Sequence, residues 1–267
     1  MAAAARRAME EGRYDEAAGL YEKLVEIDSS NTGLVMNLGL ALEAADKPRE
    51  AVKQFERARN MDPSQAAASI AAGQCWRKLG EPARALEAFQ RALKLEPHSR
   101  HLRLEVADAY YALQDYQRAV EFYEQYTSLD QHEARAWKQL GLSYARLGQA
   151  RADELRRLAP QSKFWRDLVA DSDLYREAQA EPGPAAPKSA EPAEPDCSRP
   201  SHECEFRAGH YRQLIASLTP PKTAEALYWQ ARCYEELAFL AFSQLSGLLP
   251  PEEVRALLAE AGAGEVR

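Results

Sequence analysis

Residues Glu50–Pro63 read EAVKQFERARNMDP, and 34 positions later Arg84–Pro97 read RALEAFQRALKLEP, with Ala, Phe, Ala and Pro in the same places. Extending the register outward gives Ala17, Ala51, Ala85 and Ala119, and in step with them Tyr21, Phe55, Phe89 and Tyr123. A second set of columns precedes these in each unit. It runs Leu38, Ala72, Val106, Leu140; then Gly39, Gly73, Ala107, Gly141; then Leu42, Trp76, Tyr110, Tyr144. Both sets keep the 34-residue step, which marks an internal repeat.

Within a unit the apolar positions fall three and four residues apart, as in Leu38, Gly39, Leu42 and again in Ala51, Phe55, Ala58. That spacing is the period of a helix. Turn residues separate the two halves at Ala45-Asp46-Lys47-Pro48 and Leu79-Gly80-Glu81-Pro82, and Asp62-Pro63 or Glu96-Pro97 ends each unit. Each unit is therefore predicted to be a helical hairpin. The small residue at Gly39, Gly73 or Gly141 lets the two helices approach, and the ring at Phe55 or Phe89 fills the space it leaves. One hairpin cannot hide its apolar face, so at least about three must stack.

This pattern resembles the tetratricopeptide repeat of multi-repeat bacterial proteins, in length and in its Trp/Leu/Gly/Tyr then Ala/Phe/Ala/Pro series. Trp137, Leu140, Gly141 and Tyr144 reproduce the first half. The resemblance covers Met1 to about Gly148 and implies an all-α, right-handed superhelical solenoid of antiparallel helix pairs. The first unit carries Ala4, Ala5 and Ala8 where larger residues are usual. The fifth loses its second half: Gly148 is followed by QARADELRRLAP, with Asp153 where Ala would recur and Pro160 early. Ser162–Ala178 (SKFWRDLVADSDLYREA) is predicted to be a capping helix, which gives a repeat array over residues 1–178. Residues 179–200, QAEPGPAAPKSAEPAEPDCSRP, have the composition of an extended linker. Residues 201–267 are predicted to be a degenerate repeat-like helical segment, because FRAGHYRQLI echoes GRYDEAA of the first unit. A long helix is predicted from near Thr223, and another from Pro251.

With 267 residues and 46% hydrophobic content, the chain can bury a core. A net charge of −7 disfavours phosphate backbones and anionic lipid heads, so nucleic acid is not expected as a partner. The longest apolar run, Leu237–Phe242, is far below the roughly 20 residues of a membrane span. Arg6 and Arg7 follow the first alanines and acids follow them, an order unlike a secretory signal. As given, the chain reads as cytoplasmic, or as periplasmic if an upstream export signal has been lost; both ends read as cut.

No nucleophile elbow, phosphate loop or zinc-protease motif is present in the sequence, and no enzymatic activity or cofactor is expected. Paired acids such as Glu10-Glu11, Glu235-Glu236 and Glu252-Glu253 read as solvated helix faces. Cys197, His202, Cys204 and His210 could supply four metal ligands, but the C-x4-H-x-C-x5-H spacing lacks the short knuckle that wraps zinc. A Cys197–Cys204 disulfide, if the protein is exported, and unpaired thiols are the other readings, and no metal site is assigned. Cys75 and Cys233 lie within predicted helices and read as small core residues.

The resemblance also places first-helix residues on a concave wall: Met36, Asn37, Leu40 and Glu43; Ile70, Gln74, Arg77 and Lys78; His101, Leu104, Asp108 and Tyr111; Arg135, Lys138, Leu142 and Arg146. From these, Asn37, Leu40, Arg77, Lys78, Tyr111, Arg135, Lys138 and Arg146 are the candidate peptide-binding residues. Asn37 leads because an asparagine can both donate to and accept from the backbone of an extended peptide. The basic residues favour an acidic peptide or a C-terminal carboxylate. The competing reading has Met36, Ile70 and Leu104 partly buried between adjacent repeats and the arginines as solubilising charge. Some relatives grip acidic chaperone C-termini with lysines, an arginine and asparagines. Asn37 matches one such position, but Ala67, Ala71, Ala2 and Arg6 depart from the rest. The function expected is a non-catalytic scaffold or adaptor that binds a peptide or protein segment. The alternative is a recruiting arm of a larger enzyme such as a glycosyltransferase or peptidase.

Overall fold

The computed structural model describes residues 1–170 and 201–262, and the regular elements among them are all helices. The chain divides into two compact units, Met1–Leu129 and Asp130–Arg267. The first holds four helix pairs: α1 (Ala2–Glu10) with α2 (Tyr14–Ile27), α3 (Thr32–Ala44) with α4 (Pro48–Met61), α5 (Ala66–Lys78) with α6 (Pro82–Leu95), and α7 (Arg100–Ala112) with α8 (Tyr116–Leu129). Each helix packs on its neighbours in chain order, the stacked-pair architecture that the 34-residue period predicts.

Local chemistry sets the ends of these helices. The Asn31 side chain accepts from the Leu34 N–H at 3.2 Å, and Pro48 and Pro82 open α4 and α6 where a missing N–H does no harm. The turn inside each pair repeats in geometry as well as in sequence. Gly12, Asp46, Gly80 and Gln114, spaced by 34, all hold positive φ, at 74°, 57°, 71° and 60°. The residue after each donates back to a carbonyl five positions earlier: Lys47 to Leu42, Glu81 to Trp76, Asp115 to Tyr110. This left-handed cap satisfies helix-end carbonyls and reverses the chain.

The size match read from the columns is the packing found. A Cβ placed on Gly39 would come 2.5 Å from the Phe55 ring, and one on Gly73 would come 2.6 Å from Phe89. Both rings are fully buried.

The second unit departs from the period. Gly148 stands in the turn column, yet α9 (Ala134–Leu158) runs unbroken for 25 residues. Residues 163–170 form α10, followed by α11 (His202–Arg207), α12 (Tyr211–Ser217), α13 (Ala224–Ser243), a 3-10 turn (Gln244–Gly247) and α14 (Pro251–Gly262). The starts expected near Thr223 and Pro251 are those observed. Thr223 caps α13 by accepting from the Ala226 N–H at 3.1 Å. The echo of GRYDEAA in FRAGHYRQLI holds at the turn: Gly209 has φ 77°, and His210 donates to Glu205 as Arg13 donates to Ala8.

α13 packs along α9, and there it supplies the missing half of the fifth repeat. A Cβ on Gly141 would lie 2.6 Å from the ring of Phe242, the relation Gly39 has to Phe55 and Gly73 to Phe89. Further along, a Cβ on Gly148 would meet Tyr234 at 3.3 Å and the Ala231 carbonyl at 3.4 Å, so Gly148 serves close helix approach and not a turn. Leu168 of α10 is buried with Leu155 and Leu227, with Phe164 and Trp165 packed against them. The stretch expected as a linker, 179–200, and the end of the expected capping helix lie outside the described residues.

Candidate protein-binding surface

In the first unit the candidate residues stand on α3, α5 and α7. Asn37 is half-buried, Leu40 is 40% exposed, and Tyr111 meets Tyr116 edge-on at 5.4 Å. The two cations of α5 are paired across repeats. Lys78 donates to Glu43 of α3 at 2.8 Å, and Arg77 donates to Glu105 of α7 at 2.7 Å. The hydrogen bond from Lys78 to Glu43 raises the ammonium pKa above its ordinary value. Glu105 is 2% exposed, with the His101 ring 3.8 Å away, so Arg77 balances a buried charge. Asp108 accepts from the Tyr123 hydroxyl at 2.6 Å, and burial pushes that phenol pKa up. These contacts join α3, α5 and α7 along one face and leave it close to neutral. Met36 and Ile70 are half-buried and Leu104 is buried.

In the second unit Arg135, Lys138, Leu142 and Arg146 lie on one face of α9, since steps of three and four residues keep to one side of a helix. Arg135 and Arg146 are exposed and Lys138 is half-buried, whereas Leu142 is buried at 5% exposure. Gly141, Tyr144 and Gly148 occupy the other side, toward α13.

Two tetratricopeptide repeat family models match, one over residues 36–100 and the other over 77–142. The chain carries tetratricopeptide repeats. Solved structures of MamA share the fold. One is 24% identical with a TM-score of 0.50, covering 52% of this chain and 82% of that one. A second is 20% identical with a TM-score of 0.51, covering 68% and 94%. MamA from Desulfovibrio magneticus RS-1 is 19% identical with a TM-score of 0.51, covering 53% and 80%. No curated protein matches the chain.

Tetratricopeptide repeats make this chain a scaffold for protein interaction. Among the described residues no helix is long and apolar enough to cross a membrane. Three of the four residues weighed as metal ligands have other partners: His202 faces Glu225 at 3.2 Å, His210 faces Glu205 at 2.8 Å, and Cys204 is disulfide-bonded. Cys75 and Cys233 are free buried thiols, as expected of core cysteines, and Cys197 lies outside the described residues. The cross-repeat pairs were not legible as pairs, because they join positions 35 and 28 apart and so do not follow the period. The column comparison could have found one further feature, the small residues Ala68, Ser69 and Ala72 in the third repeat.

Proposed function

We propose that this chain is a non-catalytic adaptor whose concave wall of first helices holds an extended segment of another protein. The supporting observation is the continuous face of α3, α5 and α7, tied together by Lys78–Glu43 and Arg77–Glu105, on which Asn37 and Leu40 are accessible. A rigid face with an amide and an apolar side chain at its surface suits backbone hydrogen bonds and one anchoring contact. Arg77 and Lys78 are neutralised within the wall and act as positioning residues. Arg135, Lys138 and Arg146 of α9 form a separate candidate surface within the second unit, whose charge favours an acidic segment.

The test is affinity capture with the wild type beside Asn37→Ala and Arg135→Glu/Lys138→Glu. Partners that the wild type holds and Asn37→Ala loses support the wall, and partners that Arg135→Glu/Lys138→Glu loses support the face of α9. Equal retention by all three proteins refutes both.

A further inference from the structure

The first unit is notched between α4, α5 and α6. A cavity of about 370 Å³ opens there over Ala68, Ser69, Ala72 and Ala88. One repeat earlier the first three of these columns hold Leu34, Val35 and Leu38, and one repeat later Leu102, Arg103 and Val106. Interiors are close-packed, so small side chains where the neighbouring repeats have large ones leave real space.

The rim of the notch points to an occupant. Ser69 is 3% exposed and lines the notch. Trp76 forms one wall, with the Arg84 guanidinium 4.5 Å from its ring centre. Glu56, Arg59, Glu87 and Arg91 complete the rim, where Arg91 donates to Glu87. Arg59 donates to the neutral Asn60 amide at 3.1 Å. Neither Arg59 nor Arg84 belongs to an ion pair among the described residues, so two cations face the single carboxylate of Glu56.

With 3.6 residues per turn, Ser69, Ala72 and Trp76 lie on the side of α5 opposite Ile70, Gln74, Arg77 and Lys78. The notch is thus separate from the wall of the proposed function.

We propose that this notch is a second docking site, for an acidic polypeptide segment that inserts one aromatic side chain against Trp76. Its flanking carboxylates meet Arg59 and Arg84, and Ser69 donates to the inserted segment. Ring-on-ring contact and charge-assisted hydrogen bonds supply the recognition.

The test is an NMR titration of the full chain, read at the Trp76 indole and the Ser69 amide. The probes are acetyl-Glu-Glu-Phe-Glu-Glu-amide, the same peptide with Ala for Phe, and the peptide with Lys for every Glu. The first shifts both signals saturably. The alanine peptide binds at least about tenfold more weakly, and the lysine peptide leaves both signals in place. Ser69→Val/Ala72→Leu gives the notch the residue sizes of Val35 and Leu38 and abolishes the response. Arg59→Glu/Arg84→Glu changes the rim charges without filling the notch and lowers affinity at least about tenfold, which decides the matter if the filled variant does not fold. Unmoved Trp76 and Ser69 signals, an unchanged response in the rim variant, or binding of the lysine peptide overturns the proposal. Asn37→Ala retains the response, so the wall and the notch fail separately.

Discussion

Replacing Phe242 with alanine tests whether α13 completes the fifth repeat. The ring is 1% exposed, and truncating a buried phenylalanine costs about 3–5 kcal/mol through lost burial and the cavity left behind. That cost alone would not show what the ring does for Gly141, so the informative experiment is a cycle with Gly141→Ala. In the native protein the new Cβ would sit 2.6 Å from Cε1 of Phe242 and 2.8 Å from two further ring atoms. Overpacking of this kind costs about 1–3 kcal/mol, against about 1 kcal/mol gained when alanine replaces glycine in a helix. Gly141→Ala is therefore neutral to destabilising while the Phe242 ring is present. In the Phe242→Ala background the overpacking is gone and the helix gain remains, so the same change stabilises by about 1 kcal/mol. The resulting coupling is about 1–3 kcal/mol. Urea denaturation followed by tryptophan fluorescence in a Trp76→Phe background reads this unit alone, because Trp137, Trp165 and Trp229 all lie within it. If Gly141→Ala has the same effect with and without the ring, the glycine does not exist to admit Phe242.

Three further outcomes are expected. Arg77→Ala leaves the carboxylate of Glu105 buried beside His101 and lowers stability by about 2–4 kcal/mol, whereas Arg77→Met with Glu105→Leu costs under about 1 kcal/mol by chemical denaturation. Burial pushes both the Cys75 and Cys233 thiols up to about 12 from an ordinary 9.0, so iodoacetamide at pH 8 labels them only after unfolding. The fold holds the neutral thiols, so the stability they contribute is present below pH 9.0 and is lost as pH climbs toward about 12; a denaturation midpoint flat across that window contradicts this. Gln114→Gly, at φ 60°, raises stability by about 0.5–1 kcal/mol, while Gly80→Ala, at φ 71°, lowers it by about 1 kcal/mol; equal effects would mean the turn conformation carries no strain.

The candidate surface was partly legible. The repeat resemblance grouped Arg135, Lys138 and Arg146 together, and they stand on one face of α9. The expectation of a locally basic wall at Arg77 and Lys78 missed their neutralisation, because the partners come from the repeats before and after. A charge read along the chain has no sign of its neighbour. The notch at Ser69 was legible only through the columns, since an alanine or a serine in a helix marks empty space only where the neighbouring repeats hold large residues in the same places.

Sequence alone determined the hairpins, their 34-residue step, the turns between their helices and the pairing of a small residue with a ring one helix away. All of these rest on contacts between residues close in the chain, so the repeating pattern had to record them. Tertiary structure alone decided that α9 passes straight through Gly148 and that the ring facing Gly141 arrives from Phe242. A helix that can bury its apolar stripe against a distant segment has no need to fold back on its own continuation. Burial is indifferent to distance along the chain, and no period in the sequence can announce it.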